Sequence, residues 1–281
     1  MAIQFPPVRA CIFDVDGTLI NSEDVYTEIY NNILREYGKP DFPWAIKAIQ
    51  QSRGTSRILD WANLPLSAEE FRAKEKSQQH LFTKCNLLPG VVELLEKLTK
   101  RVSPPIKMAL ATSADKALFD VKTTQVPNLP SYFAKEYRVF GDDPDLAGSD
   151  TKPMPDIFLL ALKRLNESCV QHGERPLDAN ECIVFEDSIA GVEAGRRAGM
   201  RVVWVPHKGL AQVCKGREQD VLMGRTEKDG SPPDFNGTSP SSETMSDPLR
   251  DEIIRSEDDW AEMIRSLENF QCGTYGIKVS D

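Results

Sequence analysis

The feature that most constrains this chain is an apolar run that stops on two carboxylates. Cys11-Ile12-Phe13 is followed at once by Asp14-Val15-Asp16-Gly17-Thr18. Residues 8–13 have the length and composition of a buried strand. Open α/β sheets bind ligands beyond the carboxyl ends of their strands, so Asp14 and Asp16 fall where chemistry is done. Residues two apart in an extended segment point to the same side. Two like charges that close are costly unless a cation or a shared proton relieves them. Mg²⁺ takes oxygen ligands in octahedral geometry and suits such a pair. Gly17 lets the chain turn sharply without a Cβ clash. The same letters could open a Ca²⁺ loop. That loop needs a Glu at its twelfth position, which is Val25 here.

Three further fragments of this kind follow in order. Residues 106–111 form a second strand-like run that ends in Thr112-Ser113. A hydroxyl and free N–H groups at a strand tip can grip a phosphate oxygen, or either residue could simply cap a helix over 114–124. Next comes Thr151-Lys152-Pro153-Met154-Pro155. Prolines restrict the backbone after Lys152, and Pro155 suits the first turn of a helix over 156–164. Last is Cys182-Ile183-Val184-Phe185, ending in Glu186-Asp187-Ser188, with a helix expected over 189–199. Glu186 and Asp187 read as metal ligands or as favourable acids at a helix N-terminus.

Taken together, the four fragments resemble the haloacid dehalogenase superfamily of aspartate-nucleophile phosphatases. Asp14-x-Asp16-Gly17-Thr18 is similar to the first motif, Thr112 to the second, Lys152 to the third, and Glu186-Asp187 to the fourth. The resemblance implies an α/β fold with a Rossmann-like parallel sheet and an inserted all-helical cap. It implies that Asp14 attacks phosphorus and that Asp16 serves as general acid and then base. Mg²⁺ would sit between Asp14, the Asp16 carbonyl and Asp187, with Glu186 as an outer ligand. Thr112 and Ser113 would hold phosphate oxygens and Lys152 would balance charge. A small phosphorylated metabolite is the expected partner.

The cap is expected where strands are missing. Residues 21–87 carry helical patterns only, between a core of 1–20 and 88–281. Over 22–38, Val25, Ile29, Ile33 and Tyr37 recur at helical spacing. A second long helix is expected over 67–84, entered through the capping box Ser67-x-x-Glu70. After Leu88, helix and strand signals alternate, as in βαβ units. They give a helix over 91–100, strands over 135–140 and 201–205, and a final helix over 256–267. Residues 212–248 read as a disordered insert, because Gly, Ser, Pro, Asp and Thr dominate 224–248.

Composition sets the remaining bounds. The 281 residues allow one large domain or two modest ones. A net charge of -9 disfavours nucleic acid. No 18-residue apolar stretch predicts a membrane span, and no signal peptide is visible. The six cysteines form no CxxC pair and read as free thiols of a reducing, cytoplasmic setting. The three histidines are scattered and receive no catalytic role, and a monomer is expected. Substrate identity depends on the cap. Ala109-Leu110-Ala111-Thr112-Ser113, Phe140-Gly141-Asp142-Asp143-Pro144 and Leu64-Pro65 resemble the pseudouridine-5′-phosphatase type of the family. Arg53-Gly54-Thr55-Ser56-Arg57 is instead similar to the cap loop of β-phosphoglucomutases and makes Arg53 a candidate substrate contact. Those mutases carry a His where this chain has Tyr26. Sugar and polyol phosphates, a β-phosphoglucomutase-like mutase, and a non-catalytic binding protein are the alternatives.

Overall fold

The computed structural model describes residues 5–51, 56–225 and 253–280. Four short apolar segments make the centre of the sheet: β1 (Ala10–Phe13), β2 (Lys107–Ala111), β4 (Cys182–Glu186) and β5 (Arg201–Trp204). They are apolar on both faces, as strands of a covered parallel sheet must be. β3 (Arg138–Val139), β6 (Ile254–Arg255) and β7 (Ala261–Met263) complete it. The order is β3-β2-β1-β4-β5-β7-β6, parallel throughout except for the β6–β7 pair. Helices cover both faces, so the α/β expectation holds.

Alternation along β1 divides the interior. Cys11 and Phe13 join one apolar cluster, and Ala10 and Ile12 join the other. On the first face, Phe13 stacks on Phe185 at 4.5 Å and meets Phe133 edge-on. Each fully buried ring of this kind contributes about 1.5–3 kcal/mol. This face is covered by α5 (Val91–Lys100), α6 (Lys116–Lys122) and the helices that follow β1. The second face packs α7 (Asp156–Gln171) and α8 (Ile189–Arg197), with α9 (Lys208–Val213) and α10 (Glu218–Leu222) beyond them. Ser188 caps α8 by accepting the Gly191 N–H at 3.0 Å.

Between β1 and α5 the chain forms α1 (Ser22–Glu36), α2 (Trp44–Gln50), α3 (Ser56–Ala62), α4 (Ala68–Ser77) and a 3-10 turn at Gln79–Lys84. The outgoing and returning chains cross side by side. Leu88 N–H donates to Leu19 O at 3.0 Å, and Asn21 N–H to Asn86 O at 3.0 Å. The Ser67–Glu70 capping box forms reciprocally, at 2.7 and 3.1 Å. The long helix expected over 67–84 is broken at Gln78 into α4 and the 3-10 turn.

Other expectations need correction. Residues 256–267 are not helical. Their apolar positions enter β7, where Ala261 and Met263 pair beside β5. A three-residue strand is too short for periodicity to distinguish from a helix face. The strand expected over 135–140 shrinks to Arg138–Val139 behind a 3-10 turn. The helix after Thr112 is capped by neither Thr112 nor Ser113. Asp115 accepts the Leu118 N–H at 2.7 Å instead. The first part of the insert expected from Gln212 is ordered: α9 and α10 form there, and α10 buries Val221 and Leu222 completely. The rest of that insert, from 226, lies outside the described residues, as does Arg53.

Candidate active site

Strand register builds the site. Phe13 pairs with Leu110 on one side and Phe185 on the other. Asp14 therefore emerges level with Glu186, one residue before Thr112 leaves β2. Asp14 N–H still donates to Phe185 O at 3.0 Å, so the ladder holds its backbone as the side chain leaves the sheet. The chain then turns at Gly17, where φ is +75° and a Cβ would lie 2.2 Å from the Asp187 Oδ2. A side chain there would strain the turn and push Asp187 aside.

Side chains of all four motifs converge on this edge. Lys152 comes from the loop before α7 and is almost completely buried. Its ammonium donates to Asp14 Oδ1 at 2.5 Å and to Glu186 Oε1 at 2.6 Å. Glu186 turns its other oxygen to Ser188, accepting the backbone N–H at 2.8 Å and the hydroxyl at 3.0 Å. Asp187 accepts Gln51 Nε2 at 2.6 Å, and its backbone carbonyl accepts the Trp204 indole N–H at 2.7 Å. Thr112 is fully buried. Its hydroxyl donates to Asp16 Oδ2 at 3.3 Å and accepts the Ala114 N–H at 3.1 Å. Ser113 lines the cavity above them.

The charges do not balance. Asp14, Glu186 and Asp187 are all buried and offer carboxylate oxygens within 4.8 Å of one another. Lys152 reaches only two of the three. Burial pushes the Asp14 carboxyl well above its usual range, aided by Glu186 and Asp16 and opposed by Lys152. Burial does the same for Asp187, reinforced by Glu186, Glu23 and Asp14. A buried cluster with this surplus of negative charge fits a hard divalent cation with oxygen ligands. Asp16 behaves oppositely. Burial again opposes ionisation, but Lys122 beside it prevails and holds the carboxyl below its usual range.

A cavity of about 390 Å³ opens over these groups. Its floor is Asp14, Asp16, Asp187, Ser113 and Thr151, and its opposite wall comes from the helices after β1: Glu23, Tyr30, Lys47, Gln51 and Glu75 among them. Lys47 is itself buried and paired with Glu23 at 2.8 Å. None of these wall residues belongs to a recognisable motif, so nothing in the linear pattern selects them. Lys122 was also missed. The signal was there: it shares a helix face with Phe119, three residues earlier, and a charge on a buried face needs a partner.

Known proteins resemble this chain in sequence and fold. A family model described as haloacid dehalogenase-like hydrolase matches residues 8–199, more than half of the chain. A Saccharomyces cerevisiae protein named probable pseudouridine-5′-phosphatase is 37% identical over 225 residues, covering 78% of this chain and 91% of its own. The (DL)-glycerol-3-phosphatase 1, mitochondrial, of Arabidopsis thaliana is 35% identical over 206 residues, covering 71% of this chain and 64% of its own. Among solved structures, a HAD hydrolase, family IA, variant 3, from Entamoeba histolytica superposes with a TM-score of 0.56 at 24% identity. That match covers 70% of this chain and 84% of the other, and it speaks for the fold alone. Four strand-tip motifs, brought together on one sheet edge and matched over most of their span, have one common explanation: the chain belongs to the haloacid dehalogenase-like hydrolases.

Proposed function

We propose that this phosphoric monoester hydrolase works with Mg²⁺ through an aspartyl-phosphate on Asp14. The observation that carries the reading is the buried cluster of Asp14, Glu186 and Asp187, with oxygens within 4.8 Å. Asp14 and Asp187 would hold the ion together with the Asp16 carbonyl. Glu186 would stand behind them as an outer ligand, because its oxygens also serve Lys152 and Ser188. When bound, the cation offsets the negative charge that gathers on the phosphoryl group.

Asp14 attacks phosphorus, and the ester P–O bond breaks with its electron pair going to the leaving oxygen. Asp16 passes to that oxygen a proton that enters with the monoanionic ester, because beside Lys122 its carboxyl is otherwise ionised. It then takes a proton from the water that attacks the aspartyl-phosphate and frees Asp14. Thr112 and Ser113 hold phosphoryl oxygens. Lys152, fixed by Glu186, keeps Asp14 aimed and balances charge through both steps. Residues 21–87 act as a cap that excludes water from the reacting atoms.

The substrate we assign is pseudouridine 5′-phosphate or a similar nucleotide or sugar phosphate. The likeness to the yeast protein supports the nucleotide, and the aromatic Tyr26 and Tyr30 in the wall suit a planar leaving group. A polyol phosphate is the second reading, favoured by the plant relative and by the polar Glu23, Lys47, Gln50 and Glu75. Mutase activity is disfavoured, because Tyr26 carries no imidazole to relay a proton. We assign the enzyme to the cytoplasm as a monomer. All six cysteines are free and buried, and among the described residues no helix is long and apolar enough to cross a membrane.

The test is phosphate release, with Mg²⁺ and with EDTA. The panel holds pseudouridine 5′-phosphate, uridine 5′-phosphate, deoxyglucose 6-phosphate, glycerol 3-phosphate and β-glucose 1-phosphate. Preference for the first supports the nucleotide reading. Preference for a sugar or polyol ester keeps the mechanism and replaces the substrate. No release with Mg²⁺ from a folded sample leaves the binding-protein alternative.

A further inference from the structure

Each of the two aspartates of the first motif is pinned by its own buried lysine. Lys152 holds Asp14. Lys122, at the last position of α6, holds Asp16, with Nζ 2.6 Å from Oδ1. Lys122 is completely buried and does not line the cavity, so it acts on the chemistry only through Asp16. Its ammonium also donates to the Tyr26 hydroxyl at 3.0 Å. It lies 4.6 Å from the Tyr26 ring centre and 4.8 Å from that of Phe82. Tyr26 stands on α1 and Phe82 in the 3-10 turn after α4, both beyond the crossing of the two connecting chains. Asp16, Thr112 and Lys122 belong to the sheet side of that crossing.

We propose that Lys122 is the positioning residue of the leaving-group proton transfer, aiming Asp16 only while Tyr26 and Phe82 of the helical segment are seated against it. This rests on the assignment of Asp16 as general acid. Thr112 restrains Asp16 Oδ2 by a longer bond, 3.3 Å, than the 2.6 Å ion pair on Oδ1. Without Lys122, only that longer bond and the neighbouring Ser22 hydroxyl direct the carboxyl. Proton delivery depends on that direction, because a donor must stand within hydrogen-bond reach of the oxygen that receives the proton. The same joint explains why Tyr26 occupies its position: its hydroxyl is the anchor by which the helical segment reaches the acid.

The experiment compares two esters. One is the alkyl phosphate of the panel that the wild type cleaves fastest, whose leaving oxygen must receive a proton. The other is p-nitrophenyl phosphate, whose leaving group departs as the anion. The ratio of their kcat/KM values isolates the step up to release of the leaving group. Lys122→Met should lower kcat/KM for the alkyl ester by about 100-fold, the lower range for general acid catalysis, and for the aryl ester by less than about threefold. Lys122→Arg should restore most of the loss. Tyr26→Phe should move the ratio the same way by a smaller factor, and adding it to Lys122→Met should leave the ratio where Lys122→Met alone puts it. Melting curves check that each variant is folded. Equal losses on the two esters, or no loss on either, overturn the proposal. Asp16→Asn distinguishes the levels. If it too spares the aryl ester, the acid role stands, and any failure of the Lys122 variants counts against Lys122 alone. If it lowers both esters equally, the assignment of Asp16 fails and takes the proposal with it.

Discussion

The two ends of the sheet treat charge in opposite ways. At the carboxyl ends of β1 and β4, Asp14, Glu186 and Asp187 crowd together with one ammonium between them. At the amino ends, Arg9 meets Glu181 at 3.2 Å, Arg175 pairs with the other oxygen of Glu181, and Lys107 meets Glu174 at 2.9 Å. There the backbone helps as well, since the Asp178 N–H donates to Glu181 at 2.9 Å. Both ends bury carboxylates. Only one leaves them short of positive charge. A surplus of buried like charge is a cost to the fold that a bound cation can relieve, so it marks where ligands belong. A balanced network marks where the chain only needs to stay folded.

The largest effect should break the crowded end. Asp14→Asn removes the nucleophile but not the packing, and phosphate release should fall by at least about 10³-fold with an unchanged melting profile. Residual turnover of more than a few per cent would move the nucleophile elsewhere. Glu186→Gln should be milder. Lys152 keeps Asp14 but loses a charged anchor, and losses of about 10- to 100-fold are usual for such supporting groups. If Mg²⁺ affinity fell instead while kcat held, Glu186 would be a direct ligand rather than an outer one.

Mg²⁺ itself should stabilise the protein. At 100 times its dissociation constant a ligand of the folded state contributes about 2.7 kcal/mol, or roughly 5–10 °C in Tm for a chain of this size. Asp187→Asn should abolish the shift. A full shift in that variant would place the ion away from the cluster.

The two ends should also respond to pH with opposite sign. Asp14 and Asp187 titrate higher in the fold than in the unfolded chain, because burial disfavours their charge. The folded state then holds protons that the unfolded chain has released. Their contribution is present below about pH 4, the unfolded value, and is lost as pH rises toward the raised values. Glu181 is the reverse. Burial opposes its ionisation, but Arg175, the Asp178 N–H and Arg9 overcome it and hold the carboxyl low. Its contribution is present above the unfolded value, about 4, and is lost as pH falls below it. Metal-free melting temperatures should therefore decline from mildly acidic to neutral pH, and Asp187→Asn should flatten that decline. A metal-free profile that rises steadily to pH 7 would contradict the crowding argument. The smallest effect belongs to Arg175→Ala. That side chain is largely exposed, Arg9 remains on Glu181, and the loss should stay under about 1 kcal/mol with kinetics unchanged.

The sheet edge was legible because its residues are contiguous. An apolar run ending in Asp14 announces both the strand and the group at its tip, and the same holds for Thr112 and Glu186-Asp187. β7 was not legible. Three residues cannot display a period of two, and Ala261 and Met263 become strand only by pairing with β5. The cavity wall was not legible either. Lys47 and Tyr30 lie on helices, and Gln51 just past the end of one, whose patterns describe only which face is buried, not what that face meets. Lys152 shows the boundary between the two kinds of knowledge. Its place before two prolines was visible, but its bond to Glu186, 34 residues on, was not. Sequence by itself determined the α/β class, the four strand tips and the chemical types standing on them, since each is a local property of a few neighbouring residues. Tertiary structure alone decided that Lys122 holds Asp16, that Gln51 reaches Asp187 and that Glu186 serves Lys152. Those pairings come from register and packing between distant segments, and no local pattern encodes the distance between two side chains that meet only when the chain is folded.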